Sequence, residues 1–163
     1  MITLEPLRPD HAEALLAFER ANRAYFARSI PDRGDAYFTG FADRHAALLA
    51  EQAEGTCRFH VVLDAAGGLV GRVNLVDLAD GSAELGYRIA ESAAGRGVAK
   101  AAVAEVCRLA ATDYGLTALT AVTTVDNPAS QAVLTRNGFV LGHGFLLADR
   151  PALAYRRSLA GLG

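Results

Sequence analysis

A change of hydrophobic period partway along the chain limits its fold more than any other feature. Cys57, Phe59, Val61 and Leu63 alternate with Arg58, His60 and Val62, the period of a half-buried strand. From Val98 onward, Ala102, Val103, Val106, Leu109 and Ala110 recur at helical spacing. Two more strand-like stretches, 69–77 and 82–90, lie between, set off by Asp64–Gly68 and Asp80-Gly81, where glycine can take the positive φ of a hairpin turn. In the second stretch Leu85, Tyr87 and Ile89 face one way and Glu84, Gly86 and Arg88 the other. Gly115 suits the left-handed stop of the helix over 97–114, and a strand over 117–125 follows. Strand, helix, strand in that order predicts a parallel crossover from 82 to 125 beside an antiparallel meander.

The flanks extend this frame. Residues 2–7 read as a first strand, and Asp10 with Glu13 as a capping-box start to a helix over 11–25 that carries Leu15 and Phe18 on one face. Pro31, Gly34 and two aspartates make 26–40 a loop with a helical turn, followed by a helix from Phe41 to Ala53. A short helix from Pro128 to Asn137 has proline at its first position and Gly138 just past its end. Strands at 139–147 and 152–159 close a β-α-α-β-β-β-α-β-α-β-β order. No repeat or low-complexity linker divides the 163 residues, so 1–163 is one mixed α/β domain.

Composition excludes several functions. Leu, Ile, Val and Phe fill 43 of 163 positions, about 26%, above the ~20% below which chains tend to stay unfolded. With a net charge of −2 and no basic stripe, nucleic acid is not an expected partner. Cys57 and Cys107 form no CxxC and have no histidine at ligand spacing, so buried reduced thiols are expected and no metal. The first ten residues lack the pattern of a signal peptide, and no apolar run is long enough to span a bilayer. A cytoplasmic protein with no membrane partner is the expectation.

Chemistry concentrates where the third strand of the meander enters the long helix, from Leu85 to Lys100. A helix start has unpaired N–H groups and a partial positive charge. Gly95 and Gly97 remove the side chains that would keep a bulky anion from those donors, and Arg96 and Lys100 add charge. Taken alone, a GxG before a helix is as compatible with a flexible connection. It is neither a Rossmann fingerprint nor a Walker A loop.

A second constellation, Asn127-Pro128-Ala129-Ser130 followed by Leu134-Thr135-Arg136-Asn137-Gly138-Phe139, gives the first its meaning. Together the two motifs resemble those of the GNAT superfamily of acyl-CoA-dependent N-acetyltransferases. The Glu84-Leu85-Gly86-Tyr87 start and the N-x-x-S form are most similar to its ribosomal-protein branch, the RimJ/RimL type. The resemblance implies a twisted, mostly antiparallel sheet with one splayed parallel strand pair, 84–90 and 117–125, and helices on both faces. Acetyl-CoA would lie in that gap. Its pantetheine arm would pair with Tyr87, Arg88 and Ile89, and its diphosphate with Gly95, Arg96, Gly97, Val98, Ala99 and Lys100. Asn127 would bond the cofactor and Ser130 would sit near its sulfur. Two positions depart from the family pattern. Ala94 stands where Gln or Arg is common, and Leu134 where many relatives have the tyrosine that acts as acid.

For chemistry, Glu84, at the start of the 84–90 strand on the face opposite Leu85 and Tyr87, is the expected base through water, the alternative being a solvated strand residue. Ser130 or a water is the acid toward the leaving thiolate, and a backbone N–H near Tyr87 stabilises the oxyanion. The acceptor pocket is expected in the N-terminal segment, with Asn22, Tyr25, Phe26, Arg33, Asp35 and Tyr37 as candidates. His60 is expected to be a satisfied strand residue. The acceptor would be a protein or peptide α-amine, with a small amine as the alternative, or the chain would be an acyl-CoA-binding module without turnover. A homodimer is compatible with all three.

Overall fold

Three tight turns set the sheet of the computed structural model, which describes residues 1–162. Strands β1 (Thr3–Pro6), β2 (Arg58–Leu63), β3 (Leu69–Ala79) and β4 (Ser82–Ile89) form an antiparallel run. Asp64 joins β2 to β3, its Oδ1 accepting the N–H groups of Ala66 at 3.0 Å and Gly68 at 2.8 Å. Asp80 and Gly81, both at positive φ (53° and 77°), join β3 to β4 in the sense that matches strand twist. The chain then crosses through α5 (Val98–Thr112) to β5 (Ala118–Thr124), which pairs with β4 in parallel. Strands β6 (Val140–Leu147) and β7 (Arg150–Ser158) meet at Ala148-Asp149, and β7 inserts beside β5. The seven strands run in the order β1-β2-β3-β4-β5-β7-β6, antiparallel except for β4 and β5.

Each face of the sheet has its own core. On one, Val73, Leu75, Leu85 and Leu119 pack against Val103, Val106 and Cys107 of α5 and Leu134 of α6 (Pro128–Arg136). Ala102 and Ala110, fully buried on α5, hold little volume and let the helix lie close to the strands. On the other, Phe59 and Val61 pack against Leu15 and Phe18 of α1 (Ala12–Ala21), Phe26 of α2 (Arg23–Phe26), and Phe41 and Leu48 of α4 (Phe41–Glu54). Each of these large side chains contributes roughly 1.5–3 kcal/mol by leaving water. Both cysteines are buried and unpaired.

The N-terminal segment departs from expectation in two ways. The helix expected over 11–25 is broken at Asn22 into α1 and α2, because the Asn22 side chain is engaged on both sides. Its Nδ2 donates to the Phe18 carbonyl, and its Oδ1 accepts the Glu91 N–H, each at 2.9 Å. Asp10 does not cap α1 either. Pro9–His11 form a 3-10 turn, and the Arg8 guanidinium takes the Asp10 carboxylate at 3.0 Å. The helical turn expected in 26–40 is α3 (Asp35–Thr39).

Candidate active site

The β4–β5 ladder runs from Ser82↔Ala118 to Leu85↔Ala121 and stops. Beyond that point β4 keeps its pairing to β3, and β5 keeps its pairing to β7, so the two strands diverge. The Ala90 N–H donates to the Val70 carbonyl on the β3 side. Alternation along the strand then turns the main-chain groups of Tyr87 and Ile89 toward the vacated edge.

A cavity of about 430 Å³ fills the divergence. Its walls are Tyr87, Arg88 and Ile89 of β4, the loop and helix start from Ala93 to Lys100, the α6 face from Asn127 to Arg136, and Tyr25, Phe26, Ser29 and Ile30 at the end of α2. Gly95 and Gly97 take φ of 74° and 76°, and a Cβ built on either would meet nothing within 4 Å. Here glycine is required by backbone conformation, and the space above it is left open. None of the N–H groups from Gly95 to Lys100 donates to a protein acceptor among the described residues, and the first bond of the helix is Ala101 N–H to Gly97 O. Lys100 and Arg136 line the same end and form no ion pair among the described residues. Unpaired donors, a helix-end partial charge and two unpaired cations fit a diphosphate.

Nearer the ladder's end, the Tyr87 hydroxyl lies 2.9 Å from Ser130 Oγ. Burial pushes the Tyr87 phenol above its usual range, partly opposed by the bond to Ser130, so the pair holds its protons at neutral pH. Asn127 caps α6, its Oδ1 accepting the Ser130 N–H at 3.2 Å, and this fixes Ser130 toward Tyr87. The Nδ2 of Asn127 has no protein partner among the described residues and faces the cavity side of α6.

On the opposite face of β4, Arg88 reaches α1. Its Nη1 donates to Glu19 Oε1 at 3.2 Å, and its guanidinium stacks 4.8 Å from the Phe26 ring centroid. Arg72 holds the other Glu19 oxygen at 3.2 Å and also reaches the Tyr37 hydroxyl at 3.3 Å. Glu19 is only 2% exposed. Burial, first, and repulsion from Arg33 lower the Arg88 pKa, while Glu19 raises it.

The structure brings Tyr25, Phe26, Tyr87, Arg88, Ile89, Gly95, Gly97, Val98, Ala99, Lys100, Asn127 and Ser130 to one cavity. It does not bring Glu84, Arg96, Asn22, Arg33 or Tyr37 to that wall. Glu84 lies within the paired part of β4, opposite Val76 and Thr120. Asn22 is engaged by the backbone of Phe18 and Glu91, Tyr37 by Arg72, and Arg33 stacks over Tyr37 at 4.6 Å. Leu134, at the position of the family's acid, is buried in the core at 1% exposure. Glu19, Arg72 and the Tyr87 phenol were not apparent from the sequence. The only signal for Glu19 was a charged residue next to the buried stripe of α1.

Residues 1–140 match the model of the acetyltransferase (GNAT) domain. The chain belongs to the GNAT acetyltransferases. As a GNAT protein it is an N-acetyltransferase, and its splayed strand pair is that of the fold. No curated protein matches the chain. Among solved structures, the ribosomal-protein-S5-alanine acetyltransferase from Vibrio fischeri superposes with a TM-score of 0.90 at 18% identity, over 99% of this chain and 95% of that one. Mycobacterium smegmatis RimJ, solved in complex with CoA-disulfide, gives 0.87 at 24% identity, over 96% and 81%. The spermidine N-acetyltransferase from Vibrio cholerae, solved with CoA and spermine, gives 0.82 at 19% identity, over 99% and 97%. At such identities the likeness is one of fold, and the GNAT neighbours act on more than one class of amine. No helix among the described residues is long and apolar enough to cross a membrane.

Proposed function

We propose that the chain takes its acetyl group from acetyl-CoA held in the β4–β5 cleft and transfers it to the N-terminal α-amine of a protein or peptide. The observation that carries this reading is the end of the β4–β5 ladder at Leu85↔Ala121, which opens main-chain donors onto a cavity capped by the unpaired N–H groups of 95–100.

Acetyl-CoA supplies the activated acetyl group as a thioester. The N–H groups of Gly95 to Lys100, with Lys100 and Arg136, bind its phosphate oxygens. The free edge at Tyr87 and Ile89 orients the arm, and an N–H there donates to the carbonyl oxygen as charge grows on it. One such donor is worth roughly 2.7–4 kcal/mol of barrier. As the C–N bond forms and the C–S bond breaks, Ser130 Oγ gives its proton to the leaving sulfur and is refilled from the Tyr87 hydroxyl behind it, which recovers a proton through water from the nitrogen as that becomes an amide. This relay stands in for the tyrosine that Leu134 replaces. Glu84 accepts the proton of the incoming ammonium through water. It shares its β4 face with Arg88, and Gly86 between them is exposed, with nothing within 4 Å of a Cβ built on it. That notch gives water a path along the strand, about 13 Å from Glu84 to Arg88.

A peptide acceptor is supported by the ribosomal-branch form of the two motifs, and by Arg88 in the cavity wall, which would repel a polyamine. The test has two stages. CoA at one hundred times its dissociation constant stabilises a protein by ~2.7 kcal/mol, which raises Tm by about 5–10 °C for a domain of this size. An absent shift overturns the cofactor reading. Acetylation of a panel of peptide N-termini and polyamines then decides the acceptor, and faster acetylation of spermidine than of any peptide overturns the α-amine reading.

A further inference from the structure

The acceptor face of the cleft carries more positive than negative charge, and that charge is built in. One carboxylate, Glu19, is shared by two guanidinium groups, one from Arg72 on β3 and one from Arg88 on β4. The Glu19 and Arg72 side chains are 2% and 7% exposed, so water does little to neutralise the surplus. Arg33 adds a third cation close enough to repel Arg88. Arg72 donates from Nη1 to both Glu19 and the Tyr37 hydroxyl and does not reach the cavity wall. Arg88 does. It makes one side-chain hydrogen bond among the described residues, through Nη1, and its guanidinium carbon lies 4.8 Å from the Phe26 ring centroid. A guanidinium anchored through one nitrogen, with its remaining donors open, is set up for two-point binding of a carboxylate.

We propose that the acceptor is recognised through a carboxylate close to its amine, which docks on the free edge of Arg88, with Glu19 as the positioning residue and Arg33, beyond the cavity wall, as a second, longer-range cation. The inference rests on the transferase reading above and narrows its substrate class to an acidic acceptor, a peptide with Asp or Glu at its second or third position. Such an acceptor completes the charge balance that Glu19 alone leaves open. A polyamine would place further positive charge beside Arg88, whose side chain is 16% exposed, so that water screens it poorly. The same carboxylate chemistry could come from the α-carboxylate of a free amino acid, and the experiment separates the two sources.

The probe is a set of short peptides identical except for Glu, Gln or Lys at the second position, together with free glutamate and spermidine, assayed at saturating acetyl-CoA. The expected result is that kcat/KM for the Glu peptide exceeds that for its Gln isostere by about tenfold or more, with the Lys peptide and spermidine lower still. Arg88→Lys should shrink the Glu-over-Gln preference to within about threefold, because a point charge cannot bind a carboxylate at two points. Binding of CoA, measured by calorimetry, should hold in that variant. Arg33→Gln, an exposed substitution that leaves the buried triad intact, should lower the preference partially and guards against a folding defect in the first variant. Free glutamate acetylated faster than every peptide keeps the carboxylate site and moves its source to an amino acid. Equal turnover of the Gln and Glu peptides overturns the proposal while leaving the α-amine reading intact, and a preference for spermidine overturns both. Failure to bind CoA overturns the transferase reading, and this proposal with it.

Discussion

Removing either hydroxyl of the Tyr87–Ser130 pair tests whether the two work as one proton path. The bond between them is 2.9 Å long and partly buried, and burial keeps the phenol protonated. Tyr87→Phe removes a single hydrogen bond without opening a cavity, at about 1 kcal/mol of stability, or a Tm lower by about 2–4 °C. The catalytic effect follows from the order of the path. In the proposed path Ser130 faces the leaving sulfur and Tyr87 stands behind it, so either substitution breaks the same chain. A thiolate is a fair leaving group, which puts the cost near the low end for acid catalysis, about tenfold in kcat or ~1.4 kcal/mol of barrier. Two independent contributions would multiply to about a hundredfold in Tyr87→Phe/Ser130→Ala, whereas a relay loses only about tenfold again, a coupling near 1.4 kcal/mol. The assay is thiol release from acetyl-CoA at saturating acetyl-CoA and amine, with CoA affinity measured in parallel. A double variant reduced by the full product of the single losses would refute the relay and leave Tyr87 as packing for the cleft wall.

Three further outcomes are expected. Gly97→Ala and Gly97→Glu share the cost of a non-glycine residue at φ 76°, about 1–2 kcal/mol, since neither Cβ meets a neighbour. Only the Glu variant brings negative charge to the unpaired donors, so calorimetry should show CoA binding abolished in Gly97→Glu and weakened in Gly97→Ala; equal affinities would remove this loop from the phosphate site. Glu84→Gln should lower kcat at neutral pH and be rescued as pH rises and the amine loses its proton unaided, with CoA affinity unchanged; an unaltered pH–rate profile would exclude Glu84 as the base. His60 sits 1% exposed between the Val73 carbonyl and the Tyr114 hydroxyl, and burial, with Arg58 nearby, lowers its pKa below the ordinary value of 6.5. Below that pH the unfolded chain binds a proton that the native state refuses. Stability should therefore fall with a slope of up to ~1.4 kcal/mol per pH unit until the native imidazole itself titrates. Urea titrations of wild type and His60→Gln should differ by that slope, and parallel curves would mean that His60 charges freely in the fold.

The parts of this fold that were legible in the sequence rest on local chemistry, and the parts that were not rest on pairs distant in the chain. The turns at Asp64 and Asp80-Gly81, the stop at Gly138 and the small-residue loop before α5 each depend on conformations that only a few residue types adopt. They place four strands, two helices and the anion end of the cleft. The break at Asn22 has no such signature. An asparagine inside a helical pattern is tolerated, and what ends α1 there is the Glu91 N–H, 69 residues away, which takes up the side-chain oxygen. The Glu19 cluster was hidden in the same way. Arg72 and Arg88 read as polar positions on alternating strands, as a solvated face would. What makes them a cluster is the β3–β4 register, which sets Arg72 opposite Arg88, together with the packing of α1 over β3, which lowers one carboxylate between them. A single chain marks phosphate grips by their glycines. Acceptor recognition has no comparable mark, because it is assembled from residues whose types are common everywhere and whose meaning comes only from the charges they face. The chemistry of the donor cleft is therefore read from residues adjacent in sequence, and the choice of amine from residues that only the completed sheet brings together.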